Sequence, residues 1–293
     1  MSATTPDAPA VKERGFLDHV IYVLSENPIT AFAFALFALI LLVAILGPVL
    51  APYDPMESNA ARALQPPSAD HWFGTDNLGR DVFSRVLVAT RLDLMISVAA
   101  VALSFVVGAA IGSAAGYWGG WIDGVTGRLV DTIMAFPLFV LAMGIVAAMG
   151  NTVENIIYAT AIINVPFYAR VARAEVRIRR NAGFAQAARL SGNTDLQVLA
   201  FHIFPNALPP MMVQISLNLG WAILNAAGLS FIGLGVRPPT AEWGIMVAEG
   251  ANFVVSGEWW LAFFPGLALM TAVFAFNLLG DGLRDIFDPR QRT

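Results

Sequence analysis

The chain has 293 residues, of which 57% are hydrophobic and 13% are charged, and its formal net charge is -4. Soluble domains are usually about 45–50% apolar and about 25% charged, so this composition indicates a membrane protein. The absence of cysteine from the sequence excludes disulfides, zinc thiolates, iron–sulfur clusters and thiol nucleophiles. Lys12 is the only lysine, and the small net charge gives no indication of a nucleic-acid partner.

Six stretches that lack charged residues follow one another along the chain, and each predicts a membrane helix. They cover residues 29–50, 94–117, 132–149, 155–169, 207–230 and 261–280. A helix needs roughly 20 apolar residues to cross the hydrocarbon core, so stretch 155–169 must borrow length from its flanks. The first stretch is long enough to span and has no small-residue cleavage site, so a removable signal peptide is not expected. We therefore predict an all-α integral membrane protein with six transmembrane helices.

The basic residues predict the orientation of these helices in the membrane. With the N-terminus inside, 12 of the 17 basic residues fall in the segments on the cytoplasmic side. Because short cytoplasmic loops carry the excess of Lys and Arg, we expect both termini to face the cytoplasm. The loop between the fourth and fifth stretches is then cytoplasmic, and it is the most basic loop of the chain.

This basic loop contains a polar, glycine-broken segment, GFAQAARLSGNTDLQVLAFHIFPN. Residues 170–190 consist of good helix formers and are predicted to continue the fourth helix into water. Ser191-Gly192 predicts a left-handed stop, because glycine takes positive φ without steric cost. Asn193 or Thr194 can cap a second short helix, and Asp195 is favourable at its positive end.

The second short helix has one apolar stripe, formed by Leu196, Leu199 and Ile203. Pro205 can begin the next membrane helix, where its missing N–H costs little. An amphipathic element at the membrane surface must bury its stripe against something. Either it lies on lipid, or it docks on a cytoplasmic partner; the physical properties of the segment leave both open.

FAQAARLSG followed by FHIFPN resembles the cytoplasmic EAA loop of permease subunits of ATP-binding-cassette importers. Two alanines, a glycine and a later hydrophobic-x-hydrophobic-Pro match that loop, at Ala187, Ala188, Gly192, Ile203 and Pro205. The resemblance implies that residues of about 183–205, with Phe184 and Asp195 among them, form a coupling helix that inserts into a groove of the ATPase subunit. Gln186 stands where the family usually has glutamate, so it keeps a hydrogen bond and loses the charge.

Four further blocks are similar to the C-type permeases of dipeptide, oligopeptide and nickel importers. They are Asn27–Pro55, His71–Leu87, Leu229–Gly244 and Trp259–Pro289. The resemblance implies an extra N-terminal helix in front of a five-helix type I importer core. It also implies a homologous second permease as the heterodimer partner, two ATPase subunits and an external solute-binding protein. The cargo stays open among dipeptides, oligopeptides, nickel chelates, opines and glutathione-like molecules.

With this resemblance the chain divides into four segments. They are a cytoplasmic N-terminal segment (1–28), a membrane helix with a periplasmic segment (29–92), the importer transmembrane domain (93–283) and a cytoplasmic tail (284–293). A phosphate-binding loop requires Gly-Lys before Ser or Thr, and the sequence lacks this pattern. We therefore expect this chain to bind no cofactor and to catalyse no reaction, with ATP and Mg²⁺ held by the partner ATPases.

Two sets of residues within the predicted membrane helices have alternative interpretations. Gly108, Gly112 and Gly116 form a small-xxx-small stripe, which predicts close helix packing; a glycine-lined substrate path is the alternative. The second set consists of polar residues at membrane depth, Asn164, Ser216, Asn218 and Asn225. Each can be explained by interhelical hydrogen bonds. Because the fifth helix lines the pathway in the resembling fold, they are also candidates for the translocation path.

The two outer segments carry charges and tryptophans. The spacing of Asp76, Arg80, Asp81 and Arg85 predicts a short surface helix with local ion pairs, which is a structural cap rather than a ligand site. The second outer segment covers residues 237–258 and is followed by two tryptophans. We predict that Trp243, Trp259 and Trp260 anchor the chain at the membrane interface. A surface for the external binding protein is the alternative.

Two other classes of protein, an ion-coupled secondary transporter and an intramembrane enzyme, would require residues that a permease does not. An ion-coupled secondary transporter is expected to carry an ionisable residue at mid-membrane, and the central parts of the six stretches carry none. An intramembrane enzyme needs a nucleophile with a base, or a metal site. The three histidines, His19, His71 and His202, lie in different segments. The aspartates of the tail, Asp281, Asp285 and Asp288, lie beside Arg284, which indicates a solvated or subunit-contacting face rather than a metal site.

Overall fold

The computed structural model describes residues 16–287, where α-helices are joined by turns and by one long loop over residues 51–81. Parts of the predicted end segments, residues 1–15 and 288–293, lie outside the described residues. The helices are α1 (Phe16–Glu26), α2 (Pro28–Leu50), α3 (Val82–Trp118), α4 (Gly120–Met134), α5 (Leu138–Met149), α6 (Val153–Arg179), α7 (Gly183–Leu190), α8 (Asp195–Gln197), α9 (Phe204–Phe231), α10 (Trp243–Ala251) and α11 (Trp260–Phe287). Within residues 16–287 the only β pairing is an isolated bridge between Thr75 and Asp81.

Four helices are long and apolar enough to cross a membrane: α2, α3, α11 and the continuous helix from Asp195 to Phe231. A fifth span results if α4 and α5 are counted together, although they meet at an angle of 88°. The predicted membrane helix over residues 132–149 is therefore not one continuous helix. Pro137 ends the helix there because proline clashes with a continuing helix and has no N–H to donate. The fourth predicted stretch, 155–169, lies within α6, which is not among these candidate spans.

Contacts between distant residues define the two ends of the helix bundle. At one end, which we call the α7 end, the start of α2 meets the end of α11, where Asn27 Nδ2 and Thr30 Oγ1 donate to Asp285 at 3.0 and 3.2 Å. At the other, the α10 end, Asn151 Nδ2 donates to the carbonyl of Gly233 at 2.8 Å. The helices α2 and α11 therefore run antiparallel across the same thickness.

The longest shared surface of the bundle lies between α3 and α6, and it is made of glycines on the α3 side. A Cβ atom added to any of three glycines would lie closer than 3.0 Å to a backbone oxygen of α6. The pairs are Gly108 with Val165, Gly112 with Ala169 and Gly116 with Arg173. Because the two backbones touch along three turns, no side chain larger than hydrogen fits at these positions.

The α10 end is closed by a buried ionic cluster rather than by a surface helix. Arg80 and Arg85 are each only 1% exposed. Arg80 Nε donates to Asp76 Oδ2 at 2.6 Å, and both guanidinium groups lie within 4.0 Å of Glu249 on α10. The predicted short surface helix is therefore wrong, because residues 76–80 form a loop that α10 covers. Burial leaves each charge in need of a partner, and here two cations face two anions.

Two of the three predicted interface tryptophans are buried in protein. Trp243 is 2% exposed and its Nε1 donates to the carbonyl of Val86, whereas Trp260 Nε1 donates to the carbonyl of Thr75. The anchoring interpretation is thus wrong for these two and remains available for Trp259, which is half exposed. The buried indoles instead hold α10 against the start of α3 and α11 against the loop at Thr75.

A buried carboxyl group starts α10. Glu242 accepts hydrogen bonds from the backbone N–H groups of Gly244 and Ile245 at 2.9 and 2.8 Å, and it is fully buried. Asp93 of α3 accepts from the N–H of Trp243 at 3.1 Å in the same place. Burial raises the pKa of the Glu242 carboxyl, although the hydrogen bonds from the α10 backbone oppose this shift. The start of α10 is thereby fixed to α3.

Candidate functional site

The segment that the sequence analysis singled out forms a helix-turn-helix at the α7 end. The chain leaves α6 at Arg179, reverses over residues 180–182 and forms α7. The prediction of one helix through residue 190 is wrong, because Asn181 and Gly183 are poor helix formers and lie at the reversal. After a turn, α8 continues through a π-helical turn, Val198–Ile203, directly into α9. The second short helix and the next membrane helix are therefore one rigid element.

The turn between α7 and α8 has the predicted chemistry. Gly192 adopts a φ of +87°, in the left-handed region. Asn193 Nδ2 donates to the carbonyl of Ala188 at 2.9 Å, so it satisfies the end of α7. Thr194 is the residue that caps α8, in a capping box with Gln197. These local contacts set the angle between the two helices.

One side of the helix-turn-helix is buried against α3 and α6. Its buried residues are Ala185, Ala188, Val198, Leu199 and Ile203, which pack with Tyr117, Ala172 and Val176. Of the predicted stripe, Leu199 and Ile203 are buried and Leu196 is exposed. The π-turn explains this difference, since its i→i+5 bonding shifts the register and brings Val198 inward. The buried side holds the segment rigidly to the bundle.

The other side exposes large apolar residues, and we call it the exposed apolar face. Its members are Phe184, Leu190, Leu196 and Phe201. Leu190 is 90% exposed and Phe201 is 73% exposed, which leaves their apolar area free to contact another molecule. Ala187 and Gln186 are also exposed, as is Pro205 at the start of α9. Gln186 Nε2 donates to the carbonyl of Asn181 at 3.0 Å, so it supports the reversal before α7.

A tyrosine at the end of α3 ties the turn to the bundle. Tyr117 Oη donates to Asp195 Oδ1 at 2.6 Å. Arg189 of α7 donates to the same hydroxyl from Nε and Nη2, at 3.3 and 3.2 Å. Asp195 thus has a second role besides starting α8. Tyr117 has no signal for this role in the sequence, because it lies 78 residues from Asp195 and no local pattern joins them.

Tyr117→Phe keeps the ring and removes the hydroxyl that α7 and α8 share. A hydrogen bond to a charged group contributes about 1.5–3 kcal/mol when buried, and about 1 kcal/mol is expected here because Asp195 is exposed. We expect a folded protein whose α7 and α8 amides exchange hydrogen roughly 5-fold faster. Tyr158→Phe, on an exposed tyrosine of α6, is the control. Equal exchange in the two variants would show that the hydroxyl does not hold the turn.

The four polar residues considered for the translocation path are all buried inside the chain. Each forms a hydrogen bond along its own helix, to groups three or four residues away. They are Asn164 on α6 and Ser216, Asn218 and Asn225 on α9. These hydrogen bonds satisfy only part of the buried amides, because Asn164 Oδ1 and Asn225 Oδ1 have no hydrogen-bond partner within residues 16–287. A role of the four residues in a path stays a prediction.

Comparisons with known proteins match nearly the whole chain. Residues 108–293 match the family model of the binding-protein-dependent transport system inner membrane component. Residues 15–67 match the N-terminal TM domain of oligopeptide transport permease C.

Individual relatives have similar lengths. A probable D,D-dipeptide transport system permease of Escherichia coli is 42% identical over 92% of this chain and 91% of its own. A dipeptide transport system permease of Alkalihalophilus pseudofirmus is 40% identical over 92% and 88%. A glutathione transport system permease of Pectobacterium atrosepticum is 39% identical over 90% and 88%. With several helices able to span a membrane, the chain belongs to the family of inner membrane components of binding-protein-dependent transport systems.

Proposed function

We propose that the chain is one permease subunit of an ATP-driven importer for dipeptides, oligopeptides or related small peptides. The cargo class rests on the relatives, whose names specify D,D-dipeptide, dipeptide and glutathione transport. All of these are short peptides or peptide-like molecules. Nickel chelates and opines are the alternative cargo for the same machinery.

The proposed topology has six crossings with both termini in the cytoplasm. The crossing that completes the six is α6. Its start lies beside Gly233 at the α10 end. Arg180, directly after its last residue, donates to the carbonyls of Gly116 and Tyr117 at the α7 end. More of the described arginines lie at the α7 end than at the α10 end, which supports a cytoplasmic location for the α7 end. Residues 29–92 then supply the extra helix and outer segment, and 93–283 supply the core.

The coupling loop, residues 183–205, is proposed to dock on an ATPase subunit through its exposed apolar face. The observation that carries this proposal is the contrast between its two sides: one is packed rigidly into the bundle and the other is bare. Because α8 is continuous with α9, a push on the loop moves a membrane helix. Gln186 donates to the carbonyl of Asn181, just before the loop, and it brings no charge to a contact with the ATPase.

The remaining partners follow from this role. A homologous second permease would complete the pathway, with Asn164 and the polar residues of α9 proposed near its wall. Two ATPase subunits would hold ATP and Mg²⁺, and an external binding protein would deliver the cargo. ATP binding would close the ATPase pair and open the cavity outward, and hydrolysis would reset it. In this proposal the chain supplies half of the translocation path and the coupling loop that moves it, and it binds no cofactor itself.

The test is Leu190→Glu, which places a charge on the most exposed apolar residue of the coupling loop. Burying that carboxylate in a groove would cost more than the lost apolar contact. We therefore expect the free energy of ATPase binding to weaken by at least about 2 kcal/mol, which is roughly 30-fold in affinity. The measurement is the amount of ATPase subunit recovered with the tagged permease. Val255→Glu is the matched control, because Val255 is 98% exposed at the α10 end. Equal ATPase recovery with both variants would mean that the loop lies on lipid.

A further inference from the structure

A polar cavity of about 190 Å³ lies at the α7 end, where α3 ends, α4 begins and α6 makes its last turns. Its walls include the backbone around Gly119, the indole of Trp118 and the side chains of Asp123, Arg177 and Arg180. It lies apart from the exposed apolar face of the coupling loop. The proposed coupling role makes no use of it.

The charges around the cavity leave it positive. Asp123 is paired through both of its oxygens with Arg173, one contact being 2.7 Å. Among the described residues, Arg180 donates only to backbone carbonyls at the end of α3, those of Gly116 and Tyr117, at 3.3 Å. Arg177 is exposed and has no hydrogen bond or ion pair with any residue in the described range 16–287. The guanidinium groups of Arg177 and Arg180 therefore share this cavity with one carboxylate, Asp123, which is already bonded to Arg173.

The position of the cavity relative to the membrane favours a lipid as the source of an anion that would bind there. The membrane helix α3 ends at Trp118, beside the cavity. Trp118 and Trp121 are exposed there, and exposed tryptophans are enriched at the level of the lipid headgroups. Basic pockets between membrane helices on the cytoplasmic side are suited to the headgroups of anionic lipids.

We propose that this cavity binds the phosphate of an anionic phospholipid, with Arg177 and Arg180 as its donors. The inference uses the proposed orientation of the α7 end and is independent of the cargo and of the ATPase contact. A phosphate between these arginines would join the start of α4 to the end of α6. Since Arg180 lies three residues before α7, a bound lipid would also stiffen the reversal from which the coupling loop extends.

The experiment counts lipids on the assembled transporter. The complex is placed in nanodiscs of phosphatidylcholine with a minor fraction of phosphatidylglycerol, released gently, and examined by native mass spectrometry. Arg177→Gln is the informative variant, because within residues 16–287 the Arg177 side chain forms no hydrogen bond and only a longer-range interaction with Asp123. One Lys or Arg near the surface contributes about 1 kcal/mol to anionic-lipid binding, so we expect roughly 5-fold weaker retention of phosphatidylglycerol. Arg177→Lys should restore most of it.

Arg128→Gln is the matched control, since it removes the charge of an exposed α4 arginine outside the cavity. Unchanged retention in this control, with loss in Arg177→Gln, supports the site. Equal loss in both variants would overturn it in favour of general surface attraction. Retention of phosphatidylglycerol no greater than its share of the nanodisc lipid would overturn it too, as would a second permease found to fill the cavity. Release of the lipid by added inorganic phosphate would identify a free anion, not a lipid, as the ligand.

Discussion

Gly112→Val is expected to leave almost no folded permease in the membrane. A Cβ atom at this position would overlap the backbone of Ala169, including its carbonyl oxygen. Overpacking a core usually costs about 1–3 kcal/mol, when side chains can change rotamer to make room. Here the obstacle is backbone, so α3 and α6 must separate. We expect the free energy of unfolding to fall by more than about 3 kcal/mol. The measurement is the abundance and thermal stability of the tagged chain in membranes.

Gly144→Val is the matched control, since a Cβ placed there, in α5, meets no atom of another element of the described residues within 4 Å. We expect it at wild-type abundance. The pair also separates the two interpretations of the glycine stripe. A glycine-lined substrate path predicts that Gly112→Val reaches normal abundance and fails only in transport. That outcome would show that the glycines are not required for the close packing of α3 against α6.

Features set by neighbours in the sequence could be predicted. The glycines of α3 recur at every fourth position, which is enough to place them on one face of a helix. The left-handed Gly192 and the cap at Thr194 likewise depend on residue types within a few positions. These features follow from backbone sterics and local hydrogen bonds, which do not depend on the rest of the fold.

Features set by residues far apart in the sequence could not be predicted. Arg80 and Arg85 look like surface charges until α10 brings Glu249 over them. Tyr117 has no local signal for its contact with Asp195. The break between α4 and α5 differs, because Pro137 marks it in the sequence. Hydropathy averaged over residues 132–149 hides that break, since a bent helix and a straight one have the same composition.

Gly192→Val is expected to leave the permease in the membrane and to abolish ATP-coupled uptake. Gly192 has a φ of +87°, and no atom lies within 4 Å of a Cβ placed there. The substitution therefore causes no clash, and its effect comes from the backbone alone. A β-branched residue is costly at positive φ, by about 1–3 kcal/mol. The turn relieves this strain by changing conformation, which displaces α7 and its exposed Leu190 from α8.

The membrane bundle is not part of this change, because Gly192 is exposed at the tip of the coupling loop. Uptake of a labelled peptide by the assembled transporter, compared with membrane abundance, separates coupling from folding. Gly192→Asn is the matched control, since asparagine tolerates the left-handed conformation better than other side chains, and it should retain most of the uptake. Normal uptake by Gly192→Val would mean that the angle between α7 and α8 does not carry the movement of the ATPase. The coupling loop would then have to act through the continuous α8–α9 helix alone.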